Sequence, residues 1–360
     1  MSKAGRPHLR LLLAEIALPL LLVAGVEAGF RWYLSRPATE IMPRLFSSPL
    51  TTGKYLVFRE RAASEGAAPI DVLLMGMSQM MRVSATELSQ RLAEHYQRPI
   101  TTFNFAAPGH TVEFDRRLLE DIVLPLKPPR VVVYGLIPQN LFAELNPEQT
   151  DETIRPVPAF TLFEGTPDSW LRRTALDHSR LLLYREAIQR RVASLPKTFS
   201  GNTVEMWVKL ALQTNAFGDT PAAVVGWSNP ELLNVWERSL PKRFQHFDAL
   251  MRDSVLFANL GRLAAFCREH GIRLVLALND VNPLYLYVLP KGRADYQRYV
   301  DQVRFAAQTA EVPLFTPIED GVGDAKLFVD ATHHNRAGMR WVTEELAKFL
   351  IAERILDAPS

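Results

Sequence analysis

Hydrophobic and polar positions along most of this chain follow two alternating periods. Asp71-Val-Leu-Leu-Met75 is a short apolar run closed by Gly76, which predicts a buried strand. Ser84 to His95 has helical spacing, with Ser84 as N-cap and Glu87 three residues on, a capping box. Ile100 to Phe105 predicts a second strand and Val112 to Leu124 a second helix. Arg130-Val-Val-Val-Tyr134, closed by Gly135, predicts a third strand. The rhythm resumes with a helix from Arg262 to His270, ended by Gly271, and a fourth strand, Ile272 to Leu278. A helix over Asp295 to Ala310, a short fifth strand over Val312 to Phe315 and a last helix over Ala337 to Glu353 complete it. Strands alternating with helices imply an α/β fold with a parallel sheet covered on both faces.

Residues 145 to 255 break this rhythm. They hold Pro-rich loops, a helical run from Ser179 to Ala193 and the aromatics Trp170, Trp207, Trp227 and Trp236, and read as a largely helical insertion. Residues 34 to 68, punctuated by Pro37, Pro43, Pro49 and Gly53, read as an irregular stalk into a domain spanning 69 to 355. Ahead of the stalk, Lys3, Arg6 and Arg10 precede an apolar stretch from Leu11 to Phe30, interrupted by Glu15, Pro19 and Glu27. A helix needs about 20 residues to cross the hydrocarbon core, and this stretch reaches that. Arg31, Trp32 and Tyr33 follow at the expected interface, so residues 1 to 33 read as an N-terminal transmembrane anchor. The alternatives are a signal peptide cleaved near Val26-Glu-Ala28 and an amphipathic surface helix. Flanking charges nearly balance; the free amino terminus tips the orientation to a cytoplasmic N-terminus with the globular part outside.

Composition narrows the chemistry. A net charge of +2 over 360 residues is too small to suggest a nucleic-acid surface. The one cysteine, Cys267, lies within an apolar helical pattern and reads as a small buried side chain. No zinc-type Cys/His spacing is present, and no cofactor motif stands out.

Two segments carry candidate chemistry. Ser78 follows the first strand in Gly76-Met-Ser78-Gln79, where a hydroxyl would project from the carboxyl end of the sheet beside backbone N–H groups. Taken alone it could equally be a turn or cap residue. Phe328-Val-Asp330-Ala-Thr-His333-His334-Asn335 precedes the last helix, and its Asp330 can place a carboxylate against one nitrogen of His333. The other nitrogen is then able to take a proton from a serine. The competing readings are that Asp330 and Asn335 only cap this loop and the helix, or that His333, His334 and Asp330 share a metal. Adjacent histidines seldom converge on one ion. Asn279 and Asp280, at the end of the fourth strand, could line a cleft or serve as turn residues.

The order of these segments resembles the SGNH or GDSL hydrolases over roughly residues 70 to 350. Ser78 matches their serine block, Asn104-Phe-Ala-Ala-Pro-Gly109-His-Thr their second block, and Asp330-Ala-Thr-His333 their last. The resemblance implies a three-layer, flavodoxin-like sandwich with a five-stranded parallel sheet. It also implies a nucleophile Ser78, a base His333 oriented by Asp330, and an oxyanion hole from Ser78 and Gly109. Gly-Asp-Ser reads Gly76-Met77-Ser78 here, and the third block reads Gly135-Leu-Ile-Pro-Gln-Asn140, with Asn140 displaced from the expected oxyanion position. Such departures look like a membrane-anchored branch that acylates cell-envelope polysaccharide or teichoic acid, often beside a multi-spanning acyltransferase. The function so implied is an esterase or O-acyltransferase on acylated envelope glycans, held in a bacterial inner membrane. Two other classes stay open: a non-catalytic accessory subunit of such a complex, and an unrelated doubly wound binding protein, in which Ser78 and His333 would lie far apart.

Overall fold

A computed structural model describes residues 24–25, 28, 49–63, 69–143, 213–219 and 240–357. All of these except Ala24, Gly25 and Ala28 belong to one compact unit built from Ser48–Ile154 and Asn202–Ser360. The strands are β1 (Val72–Gly76), β2 (Thr102–Asn104), β3 (Val131–Leu136), β4 (Arg273–Leu278) and β5 (Leu314–Phe315). They form a parallel sheet in the order β2-β1-β3-β4-β5. Every residue of β1, β2 and β3 is buried, which is why β1 and β3 read as continuous apolar runs; β2 buries Thr102 and Asn104 as well as Phe103.

The helices are α1 (Pro49–Ala63), α2 (Ala85–Tyr96), α3 (Val112–Leu118), α4 (Phe247–Asp253), α5 (Leu256–Glu269), α6 (Arg293–Ala310) and α7 (Arg336–Ala352). Leu88 and Leu92 of α2 and Val342, Leu346 and Leu350 of α7 share one core with Val72, Leu74, Val131, Val133 and Val275 of the sheet. Contacts of α3 with β1, and of α5 and α6 with β4, cover the opposite face. Half of the expected capping box forms: Ser84 Oγ accepts from Glu87 N–H at 3.2 Å, but Ser84 N–H donates to Thr343 Oγ1 and the Glu87 carboxylate pairs with Arg91. The helix expected over Val112 to Leu124 loosens into a π turn at Leu119–Val123. Pro125 lies just beyond, without an N–H and with a ring that crowds the preceding carbonyls.

Part of the expected stalk differs. Pro49–Ala63 is a helix of the folded unit, with Leu50, Thr51, Thr52, Lys54 and Phe58 buried and Phe58 packed on Phe103 and Phe105. Its buried face is half polar, so no apolar stripe marks it in the sequence. Most of the insertion lies outside the described residues, including Ser179–Ala193 and the four tryptophans named above. Within it, Phe217 O accepts from Asn104 N–H at 2.8 Å along the free edge of β2. Asp219 caps α2 through the N–H groups of Ala85 and Thr86. Among the described residues no helix is long and apolar enough to cross a membrane. The Leu11–Phe30 stretch falls outside them save for the three residues noted above.

The site depends on two glycines facing each other at the ends of β1 and β3. Gly76 pairs in register with Gly135 and has φ of 115°. A Cβ on Gly76 would sit 2.6 Å from the Gly135 carbonyl oxygen. Gly76→Ala therefore meets a backbone clash and a strained φ together, and is expected to cost about 2 kcal/mol or more. Chemical denaturation checks this; an unchanged midpoint would show that the strand ends can separate freely.

Candidate active site

Ser78 sits in the tight turn that leaves β1. Met80 N–H donates to Met77 O and Arg82 N–H to Gln79 O, so the chain turns at once into the 3₁₀ segment Met80–Arg82. The turn is fixed from below by Asn104, at the end of β2. Its Nδ2 donates to Met80 O at 3.1 Å and to Val83 O at 2.8 Å. Asn104 is in turn gripped by Lys54 of α1, whose Nζ lies 2.9 Å from Asn104 O and 3.3 Å from Asn104 Oδ1.

The second loop closes through a short antiparallel bridge between Phe328 and His334. Asn335 N-caps α7, accepting from the N–H groups of Ala337 and Gly338. Gly338 admits the loop, because a Cβ there would lie 2.2 Å from Leu327 O. Asp330 Oδ1 accepts from the N–H groups of Thr332 and His333, both at 2.7 Å, an Asx-type turn. Its Oδ2 lies 2.8 Å from His333 Nδ1. The capping and triad readings of Asp330 are thus one arrangement: the carboxylate folds the loop and orients the ring.

The two loops meet. Ser78 Oγ lies 2.8 Å from His333 Nε2 across 255 residues of sequence. Asp330, His333 and Ser78 form a carboxylate–imidazole–hydroxyl series at the carboxyl edge of the sheet. With Nδ1–H donating to Asp330, Nε2 is the basic nitrogen facing the serine. Gln79 ties the loops together again, its Nε2 donating to Thr332 Oγ1 at 3.1 Å. Burial raises the Asp330 pKa, but the charge and hydrogen bonds of His333 and the two backbone N–H groups outweigh it and hold the carboxyl below its ordinary value. Arg82, also buried, carries a charge that bears on Asp330.

The candidate oxyanion groups lie on loops at the same edge. Among the described residues, no hydrogen bond engages the backbone N–H of Ser78 or of Gly109. Asn140 is fully buried in the turn after β3. Its Oδ1 accepts from Ile137 N–H at 2.9 Å, which fixes the amide orientation, and its Nδ2 has no partner among the described residues.

Three further features stand at this edge; the sequence offered Asn279 and Asp280 as cleft or turn residues but not the imidazole partners of Asp280 and Asp115. His334 turns away from His333 and pairs with buried Asp280, Nε2 lying 3.2 Å from Oδ1, while its ring stacks on Phe328. The two adjacent histidines therefore serve different carboxylates. Asn279 is buried within the sheet edge, its Nδ2 near Leu136 O. His110, beside Gly109, lies between Thr51 and Asp115, all three buried. Only the second of these pairs had a local signal, since Asp115 follows His110 closely in sequence.

No family model matches the chain, and the search among curated proteins finds no match. Among solved structures, a GDSL-like lipase from Bacteroides thetaiotaomicron aligns at a TM-score of 0.39 and 11% identity, over 84% of this chain and 98% of that one. A protein named as a candidate acylhydrolase from Bacteroides fragilis aligns at 0.37 and 9% identity, over 83% and 95%. The fold and site together define an α/β scaffold with a serine–histidine–aspartate constellation at the carboxyl edge of its parallel sheet.

Lys54 gives the site a measurable signature. Burial lowers its pKa from 10.5 to about 7, against the opposing charge of Asp219. Between those values the unfolded chain binds the extra proton, so raising the pH favours the folded state. The unfolding free energy of the wild type, relative to Lys54→Met, is expected to rise from pH 7 towards 10.5 by on the order of 5 kcal/mol. A difference that stays flat across that window, in denaturant titrations, would contradict a buried Lys54.

Proposed function

We propose that this protein is a serine esterase or O-acyltransferase, anchored in the bacterial inner membrane by its N-terminal segment and acting outside it on acylated cell-envelope glycans. The observation that carries the chemistry is the unbroken Ser78–His333–Asp330 series, with 2.8 Å at both joints. Ser78 Oγ attacks the ester carbonyl carbon while His333 Nε2 takes its proton. Asp330 keeps the ring in the required tautomer and stabilises the imidazolium. The N–H groups of Ser78 and Gly109 face the developing oxyanion, whereas Asn140 Nδ2 is fully buried and not open to it. Collapse of the tetrahedral intermediate expels the alcohol, which leaves with the proton from His333, and Ser78 carries the acyl group. Water then releases the acid, or a sugar hydroxyl accepts the acyl group and regenerates Ser78. The glycan acceptor, the envelope location and a multi-spanning acyltransferase partner rest on the membrane-anchor pattern and the resemblance drawn from the sequence.

Ser78→Ala and His333→Ala are each expected to lower hydrolysis of aryl acetate and acetylated-sugar esters by about 10³-fold or more. If the acceptor is a sugar hydroxyl, the same variants should lower ester-linked acyl content of the envelope; if it is water, they should leave that content unchanged or raised. Hydrolysis and envelope acylation that both persist in folded Ser78→Ala would sink the enzymatic assignment. Envelope acylation that persists alone would restrict the protein to hydrolysis.

A further inference from the structure

A second hydroxyl, imidazole and carboxylate lie in series away from the triad, with His110 and Asp115 in close ionic contact rather than in an aligned hydrogen bond. Thr51 Oγ1 of α1 lies 2.9 Å from His110 Nε2, and His110 Nδ1 lies 2.8 Å from Asp115 Oδ1 in the first turn of α3. All three residues are at most 3% exposed, whereas Ser78 is only partly buried, so the Thr51 hydroxyl is not open to a substrate as the Ser78 hydroxyl is. The series is a positioning device rather than a second nucleophile.

Its ends explain what it positions. His110 directly follows Gly109, whose N–H faces the oxyanion in the proposed mechanism. The Gly76 backbone and the Tyr134 hydroxyl both lie close enough to the Asp115 carboxylate to favour its charged form. Gly76 begins the turn that carries Ser78, and Ala107 N–H, from the Gly109 loop, donates to Gly76 O at 3.1 Å. Thr111, the next residue, caps α3 by accepting from Phe114 N–H. The loop from Ala107 to Thr111 is therefore clamped on one side by α1 and on the other by α3 and β1. Gly109 itself, at the tip, is exposed and has no hydrogen bond to a described residue through its N–H.

We propose that Thr51, His110 and Asp115 are positioning residues, a buried hydroxyl–imidazole–carboxylate chain that holds the Gly109 loop against the Gly76–Ser78 turn, so that the N–H donors to the reacting carbonyl oxygen are aligned before substrate binds. This rests on the reading of Ser78 as the acylated nucleophile. Donors preorganised in this way act mainly on the transition state, so their loss lowers the rate of bond formation more than substrate affinity. It also makes α1 a working part of the site, although it lies in the segment that leads in from the N-terminus.

The test uses the full-length protein and a fluorophosphonate, whose phosphoryl oxygen needs the same donors as an ester oxygen. Thr51→Val keeps the side-chain shape and deletes the hydroxyl; Thr51→Ser restores it. Thr51→Val is expected to lower the limiting rate of Ser78 labelling by about 10- to 100-fold, with reagent affinity and melting temperature near the wild type. Thr51→Ser should recover to within about threefold of the wild type, a rescue that a purely packing role for the threonine methyl would not give. His110→Gln reports on the same chain independently, and its effect should not add to that of Thr51→Val. Wild-type labelling rates in folded Thr51→Val or His110→Gln would overturn the positioning role while leaving the nucleophile in place. A loss in Thr51→Val that Thr51→Ser does not restore would overturn it too. Absence of labelling in the wild-type protein would overturn the nucleophile reading, and the positioning role with it.

Discussion

Everything at the site depends on one contact, the 2.8 Å approach of Ser78 Oγ to His333 Nε2. Two loops at opposite ends of the domain must meet to make it. The packing of α2 on α7 brings them together. Ser78 lies just ahead of α2 and His333 just ahead of α7, so two helices packed over the same strands present their preceding loops side by side. Leucine and valine burial supplies most of that attraction, since each fully buried side chain contributes about 1.5–3 kcal/mol. Polar contacts then set the register: Ser84 N–H donates to Thr343 Oγ1 at 3.0 Å, and Gln79 donates to Thr332. The apolar core thus determines that the loops are neighbours, and a few directional bonds determine which atoms touch.

The edge concentrates ionisable groups where burial makes them expensive. Asp330, Asp280 and Asp115 each face an imidazole there, from His333, His334 and His110. Buried carboxylates without such partners would be driven to neutrality. For Asp115 burial does prevail, and its pKa is raised despite His110. For Asp330 the balance runs the other way, and the carboxylate is held ionised, as the proposed role requires. The difference follows from surroundings: Asp330 accepts two backbone N–H bonds as well as the ring, while Asp115 is fully buried. Two similar pairs thereby differ in balance, one carboxyl held below its ordinary pKa and the other above it.

The sheet and its helices were legible because apolar runs, glycines and caps agreed at every level. Val131–Leu136 and Arg273–Leu278 could hardly have been anything but central strands. Ser78, His333 and Asp330 were legible because order along the chain and position at strand ends limited where they could lie. Helix α1 was not, because Thr51, Thr52 and Lys54 are buried by polar contacts that hydrophobic periodicity cannot register. His334 with Asp280 was not, because the partners are 54 residues apart and nothing local couples them. Asn140, displaced in sequence from the expected oxyanion position, is nevertheless buried at the end of β3 with its Nδ2 unpaired among the described residues; loop conformation, not spacing, decides that.

The central claim is that His333 makes Ser78 a nucleophile. Peptide mapping by mass spectrometry after treatment with a fluorophosphonate tests it most directly. The account predicts a stoichiometric adduct on Ser78 in the wild-type protein and none on Ser78 when His333 is replaced by alanine. An unmodified Ser78 in well-folded wild-type protein, or an adduct formed equally well without His333, would contradict it.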